Sequence, residues 1–187
     1  MTHDPALEAH EHTEHAHEAA HAHDPFVSRV AITVAALAVL AAAAGSLETV
    51  EGGLAITASS EAVMRQDQAT DAWNEYQADS LKKHLYKIAA GGGGTHAEEY
   101  AKESKSEGDK QDGIREHAKD DEKERDALMA ESAAHEKRHH WLTGAATLIE
   151  IGIALSTIAI ITRRSGFWYG ALGLGAGGLV LAAIAFA

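Results

Sequence analysis

Histidines and carboxylates recur at helical spacing near the start of the sequence, and these residue types bind metal ions. If residues 6–22 form a helix, one face carries four of them at steps of four, three and four: His10, Glu14, His17 and His21. Neutral imidazole is the commonest protein ligand of transition metals, and such a face could hold Zn²⁺, Ni²⁺ or Cu²⁺. The same spacing is also typical of a solvated polar helix whose carboxylates merely separate the histidines. Both interpretations are open.

The same residue types return as Glu131, His135 and His139, each four residues after the previous one. On a helix they would share a face and could hold a divalent metal ion. They stand just before Trp141 and an apolar segment, where a histidine can also serve as an interfacial anchor. The surrounding signature of a metalloprotease is missing. We therefore expect no cofactor, apart from Zn²⁺, Ni²⁺ or Cu²⁺ if the histidine-rich segment binds metal.

Glu150 is a third candidate, because it is a carboxylate near the middle of a long apolar segment. At that depth in a membrane a carboxylate is costly, so we expect it to face a partner, a cavity or the interior of a helix bundle. It could bind a proton or a cation. Alternatively, it is a protonated carboxyl that donates one hydrogen bond to another helix.

Three nearly uncharged segments are long enough to cross a bilayer as helices, which takes about 20 residues. The sequence therefore predicts an all-α integral membrane protein: three transmembrane helices with a long helical hairpin inserted between the first and the second. The predicted divisions are a His/Glu/Ala-rich N-terminal segment at 1–25, spans at 26–47, 141–162 and 167–187, and a charged hairpin at 48–140 with its tip at the glycine run 91–94.

The first helix of the predicted hairpin carries a seam of small residues. Alanine recurs there at alternating steps of three and four, with Trp73 and Tyr76 as large amphipathic anchors. In the third span, glycines four residues apart would let another helix approach closely. We predict helix contacts at these positions: Ala62, Ala69, Ala72, Trp73, Tyr76, Gln77, Gly173 and Gly177.

The segment around Trp73 resembles a bacterial inner-membrane family catalogued as a domain of unknown function. The resemblance covers the order of segments along nearly the whole chain and a Trp-x-x-Tyr-Gln-Ala motif. The motif positions are Ala69, Ala72, Trp73, Tyr76, Gln77, Ala78 and Ser80, with Asp79 where the family usually has lysine. A salt bridge made by that lysine is therefore not carried over. The resemblance implies the architecture and a bacterial inner-membrane location, and it brings no activity.

Charge and composition exclude several classes of function. The net charge of −12 argues against nucleic acid as a partner, because no basic surface is available to follow a phosphate backbone. The absence of cysteine excludes disulfides, thiolate metal sites and cysteine nucleophiles. No Ser/His/Asp ordering and no phosphate-binding glycine loop emerges, so we expect a protein that is not an enzyme.

Basic residues predict the orientation in the membrane. Arg163 and Arg164 lie in the short connection 163–166 and favour the cytoplasmic side for it. The N-terminus would then be cytoplasmic and the 48–140 hairpin extracytoplasmic. Lys137 and Arg138, beside the second span, favour the opposite arrangement.

Together these patterns favour a non-enzymatic membrane scaffold or accessory subunit that self-associates or joins a larger membrane complex through helix packing. Its expected partners are the lipid bilayer and either further copies of itself or other subunits. The alternative is a protein that handles divalent metal or conducts ions or protons, which the histidines and Glu150 would serve.

Overall fold

The computed structural model describes residues 24–187, and these form three helices and no strand. Helix α1 is Pro25–Gly91, α2 is Ala97–Thr162 and α3 is Ser165–Ile184. Each helix contains a stretch that is long and apolar enough to cross a membrane, by length and composition. The predictions of an all-helical fold and of three apolar helices are therefore confirmed for the described residues.

The start of α1 follows from two adjacent residues. The backbone N–H of Phe26 donates to Oδ1 of Asp24 at 2.9 Å, and Pro25 is the first helical residue. Aspartate is a preferred N-cap because its side chain accepts from an unpaired N–H of the first turn. Proline suits the next position because its φ is already helical and its missing N–H is not needed there.

The break between α1 and α2 lies in the glycine run. Gly93 has φ of 73° and Gly94 has φ of 116°, which side chains with a Cβ rarely adopt. The chain re-enters a helix directly afterwards, where the N–H of Ala97 donates to the carbonyl of Gly94 at 3.2 Å. Glycine is thus required by the backbone at this turn.

The described residues form two compact units. The first, the bundle, comprises residues 24–55 and 133–187, and the second, the helix pair, comprises residues 56–132. In the bundle, apolar residues that recur every three or four positions on α1 pack against α2. The core contains Ala31, Val34, Leu37, Ala38, Ala41, Ile149 and Ile153. These side chains pack closely against one another between the two helices.

One end of the bundle is closed by contacts between α1 and the residues around the α2–α3 connection. Nη1 of Arg163 lies 3.5 Å from Oδ2 of Asp24. The indole Nε1 of Trp168 donates to Oγ1 of Thr33 at 3.0 Å, and the Phe26 ring meets the Trp168 ring edge-on at 6.3 Å. The start of α1 and the α2–α3 connection therefore lie at the same end of the bundle.

The helix pair packs through alanine. Ala62 and Ala69 of α1 and Ala118 of α2 are fully buried, whereas most long side chains of this unit are exposed. Small side chains let the two helices approach closely but bury little area each. The pair therefore has close contacts and a small apolar core.

Candidate functional site

Glu150 lies on α2 and is exposed on the outer surface of the bundle, whereas Ile149 and Ile153 beside it are buried. Within residues 24–187 its carboxylate makes no hydrogen bond and no ion pair. The sequence alone allows the interior of the bundle as one surrounding of Glu150. In the structure Glu150 does not lie there. The carboxylate faces whatever surrounds the bundle.

Glu150 belongs to a narrow line of residues that we name the outer stripe. Its members are all exposed and follow one another along α2 at steps of three or four: Thr143, Thr147, Glu150, Ala154, Thr157 and Ile161. This spacing places them on one helix face. The Thr147 hydroxyl donates to the carbonyl of Thr143 at 2.8 Å, and the Thr157 hydroxyl donates to that of Ile153 at 3.2 Å. Each hydroxyl oxygen can still accept a hydrogen bond.

A second polar cluster lies inside the bundle. Oε2 of Glu51 is 2.6 Å from Nδ1 of His135 and 3.7 Å from Nη1 of Arg138. The Glu51 and His135 side chains are 10 % and 14 % exposed, so this contact is largely shielded from water. A shielded carboxylate is stable only when donors or opposite charges compensate it, and His135 and Arg138 supply both.

Two of the predicted metal ligands just before the second apolar segment, His135 and His139, have separate partners on α1. His135 faces Glu51, and Nδ1 of His139 lies 3.1 Å from the main-chain oxygen of Glu48. Glu131 is exposed and belongs to the helix pair. The part of the chain that the structure describes contains no group of three His, Asp or Glu side chains placed to hold a metal ion. The other predicted ligands lie outside the described residues, and metal binding there stays a prediction: His10, Glu14, His17 and His21.

The predicted alanine seam faces α2 within the helix pair. Ala62 and Ala69 are buried, Ala72, Trp73 and Tyr76 are half-buried, and Gln77 is exposed. Nε1 of Trp73 donates to Oε1 of Glu122 at 2.9 Å, and its ring meets that of Tyr76 edge-on at 5.7 Å. The alanine side of the seam is thus occupied by a contact within this chain.

Cross-helix ion pairs flank the buried alanines. Arg65 binds Asp121 at 3.3 Å through Nη1 and Glu124 at 2.9 Å through Nη2. Nδ1 of His117 also lies 2.9 Å from Asp121, whose side chain is buried. Arg125 donates to the side-chain oxygen of Gln66 on the facing helix. Arg65 and His117 thus compensate the buried carboxylate of Asp121, which the helix packing would otherwise leave unpaired.

Asp79 is buried in the helix pair beside a second acid. It accepts a hydrogen bond from Nζ of Lys82 at 2.9 Å, and Glu107, also buried, accepts one from Nζ of Lys110 at 3.1 Å. The hydrogen bond from Lys82, with the charges of Lys82 and Lys110, lowers the pKa of Asp79 below its ordinary value of 3.8, although burial opposes this. The same hydrogen bonds to Asp79 and Glu107 raise the pKa of Lys82 and of Lys110 above 10.5.

Glu107 and Gln111 are buried contact residues that were not predicted. The sequence does contain a signal for them, because Glu107 and Gln111 precede Ile114 and the buried Ala118 at helical steps of four, three and four. Oε1 of Gln111 accepts from Nζ of Lys83 at 3.4 Å, and no described residue bonds its Nε2. Gly108 leaves room for this lysine, since a Cβ there would lie 3.0 Å from Nζ of Lys83.

The close contacts of α3 involve a different pair of glycines from the predicted one. A Cβ on Gly175 would lie 2.5 Å from Cδ2 of Leu37, and one on Gly178 would lie 2.6 Å from Cγ1 of Ile149. Gly173 is exposed with nothing within 4 Å of its Cβ position, and a Cβ on Gly177 would be in ordinary contact with a leucine at 3.6 Å. A contact of Gly173 and Gly177 with another molecule stays a prediction.

Three helices with apolar stretches long enough to cross a membrane, one of which exposes Glu150, define an all-helical protein that is compatible with a place in a membrane. The chain belongs to the DUF4337 family, a domain of unknown function whose family model matches residues 26–187. The resemblance to a family of that kind is therefore confirmed. No curated protein and no solved structure matches the chain.

Proposed function

We propose that this protein is a non-enzymatic membrane scaffold or accessory subunit, which self-associates or joins a larger membrane complex through helix packing. Its apolar helices would cross a bacterial inner membrane as three spans, with residues 48–140 as a helical hairpin outside it. The observation that carries this proposal is a row of exposed apolar side chains on the helix pair: Leu81, Leu85 and Ile88 are 62 %, 57 % and 73 % exposed.

These three side chains lie on one face of α1, since they follow one another at steps of four and three. Lys82, His84 and Lys87 are interleaved with them, so a lipid interior would be a costly cover for this face. Large apolar side chains exposed on one helix face of an otherwise charged unit are typical of a protein contact. The favoured occupant is therefore a protein helix.

The small core of the helix pair supports the same conclusion. Its buried apolar side chains are the alanines Ala58, Ala62, Ala69 and Ala118. Few buried apolar groups give a small unit little stability of its own. Packing a further helix against Leu81 and Leu85 would add the large apolar contacts that the pair lacks.

The test is the mass of the protein purified in a mild detergent, measured by light scattering with correction for bound detergent. We expect more than one chain per particle or a co-purifying membrane subunit. Leu81→Gln combined with Leu85→Gln should reduce that assembly. Met129→Gln is the matched control, because Met129 is 52 % exposed on the other helix of the same unit.

A particle with the mass of one chain and no companion would overturn the proposal. Equal loss of assembly from Met129→Gln would show that the Leu81 face is not the contact surface.

Two observations support the proposed orientation, with the N-terminus and the 163–166 connection cytoplasmic and residues 48–140 extracytoplasmic. Arg163 and Arg164 are placed at the connection between two apolar helices, where positive charge favours the cytoplasmic side. The ion pair between Arg163 and Asp24 brings the start of α1 to the same end of the bundle.

A further inference from the structure

We propose that the outer stripe of α2 is a contact between two copies of this chain, in which the two Glu150 carboxyl groups hydrogen-bond to each other. The inference rests on the proposed function, because it requires α2 to cross a membrane. It goes further by naming the surface, the partner and the group that joins them.

The first step is the depth of Glu150. It lies nine residues after Trp141 and twelve before Thr162, and at 1.5 Å per residue it would be about 14–18 Å from either end of the apolar segment. Ionisable side chains at such depth are costly and almost always meet a bundle interior, a water-filled cavity or a partner. Glu150 is instead exposed on the outside of the bundle, and no described residue of the chain bonds it.

The second step is the chemistry of the stripe around it. Thr147 and Thr157 donate to their own helix and keep oxygen lone pairs available on the outer surface. Ala154, one turn from Glu150, is small enough for another backbone to come close. Between helices in lipid, close packing of small residues and hydrogen bonds between side chains drive association. The outer stripe offers both.

The third step is the identity of the partner. Copies of one chain insert in the same orientation, so their α2 helices run parallel and their Glu150 side chains lie at the same depth. A two-fold axis then matches a surface with itself. A protonated carboxyl has one O–H donor and an acceptor oxygen, so two of them satisfy each other through two O–H···O hydrogen bonds. No charge is left between the helices, which avoids repulsion between two carboxylates.

The experiment uses the full chain, which contains no cysteine of its own. Ala154→Cys places one thiol on the outer stripe, and Val39→Cys places one on an exposed face of α1, where Val39 is 68 % exposed. Native membranes are treated with a disulfide-forming oxidant over a series of protein-to-lipid ratios. We expect Ala154→Cys to give a disulfide-linked product of twice the chain mass that persists as the protein-to-lipid ratio is lowered. Val39→Cys should form disulfides only through random collisions, so its product should disappear over the same series.

Two further variants in the Ala154→Cys background test the carboxyl. Glu150→Leu should weaken association by about 3- to 18-fold, the loss expected for one set of hydrogen bonds between membrane helices. Glu150→Gln keeps a donor and an acceptor and should cross-link nearly as well as the parent. Helix content measured by circular dichroism shows whether each variant is folded.

The outcomes separate this inference from the proposed function. If wild type assembles in detergent but Ala154→Cys cross-links no better than Val39→Cys, the inference is wrong and the scaffold proposal stands. If wild type is a single chain without a companion, both are wrong. A cross-linked product that contains a different protein, or a dimer that Glu150→Leu leaves unchanged, would also overturn the pairing of Glu150 with itself.

Discussion

Glu51 of α1 and His135 of α2 are in direct contact inside the bundle, with 2.6 Å between Oε2 and Nδ1. Nη1 of Arg138 lies 3.7 Å from the same oxygen, so His135 and Arg138 both contact the Glu51 carboxylate. Because this carboxylate is largely shielded from water, the two side chains are needed to offset the cost of burying its charge.

We expect His135→Ala to lower the free energy of unfolding by about 1–3 kcal/mol, because it leaves a shielded acceptor without its closest donor. His140→Ala is the control: His140 is exposed, and its Nδ1 lies 2.8 Å from the main-chain oxygen of Glu136 on its own helix. That change should stay within about 0.5 kcal/mol. Unfolding in one detergent, followed by circular dichroism, measures both, and equal losses would contradict the importance of the Glu51 contact.

The glycines of α3 offer a pair of variants with opposite expected signs. Gly178→Ala should destabilise the bundle by about 1–3 kcal/mol, because its Cβ would lie 2.6 Å from Ile149 and 2.8 Å from the main-chain oxygen of Ala145. Gly173→Ala meets nothing within 4 Å and should stabilise the helix by up to about 1 kcal/mol. The midpoint temperatures of thermal unfolding of the two variants and of wild type measure both effects. A neutral Gly178→Ala would mean that α3 does not pack on α2 as described.

The sequence predicts local features of this fold well. The glycine run 91–94, predicted as the tip of the hairpin, marks the end of α1, because positive φ depends on only a few neighbouring residues. The spacing of Ala62 and Ala69 also indicates which side of α1 packs on α2 in the helix pair. A repeat of three and four residues defines a face directly.

Contacts between distant residues are not fixed by such patterns. Nothing near Glu51 indicates that its partner stands 84 positions later. Small residues occur on several sides of α3, so spacing does not choose between Gly173 and Gly178, and the choice depends on the volume of Ile149 opposite. The outward direction of Glu150 likewise depends on which side of α2 fits the core around Ile149 and Ile153.

The alanine seam of the helix pair can be tested with neighbouring residues. Ala69→Leu inserts a large side chain into a fully buried position and should cost about 1–3 kcal/mol. Gln68→Leu is the control because Gln68 is exposed and loses only a surface hydrogen bond from Arg65, so its effect should stay within about 0.5 kcal/mol. Denaturant unfolding in detergent measures both. Similar costs at the two positions would place the contact on a different face.

The lowered pKa of Asp79 predicts how the stability of the helix pair depends on pH. Its ionised form is favoured in the folded state, so its contribution is complete above 3.8 and is lost as the pH falls through the lower, folded value. The raised pKa values of Lys82 and Lys110 have the opposite sign: their contribution is complete below 10.5 and is lost as the pH rises through the folded values.

The measurement compares wild type with Asp79→Asn, whose side chain does not titrate. Their difference in free energy of unfolding should be constant between pH 5 and 8, both about one unit or more from the 3.8 and 10.5 limits. It should shrink as the pH falls below 3.8. A difference that stays constant into acid would show that the contact with Lys82 does not favour the ionised form.

The proposed orientation in the membrane can be tested by labelling, because the chain has no cysteine. Thr95→Cys introduces an exposed thiol beside the glycine turn, and Ser165→Cys introduces one at the first residue of α3. A maleimide that cannot cross membranes should label Thr95→Cys in cells with a permeabilised outer membrane. It should label Ser165→Cys only after the inner membrane is opened.

Each variant also serves as the control for the other, since both thiols react once all membranes are dissolved. Three spans require Thr95 and Ser165 to lie on opposite sides of the membrane. The basic residues Arg163 and Arg164 favour the cytoplasmic side for Ser165. Labelling of both thiols from one side would therefore contradict the three-span arrangement itself. Labelling of Ser165→Cys alone from outside would keep the three spans and invert them, and the basic residues Lys137 and Arg138 would then mark the cytoplasmic side.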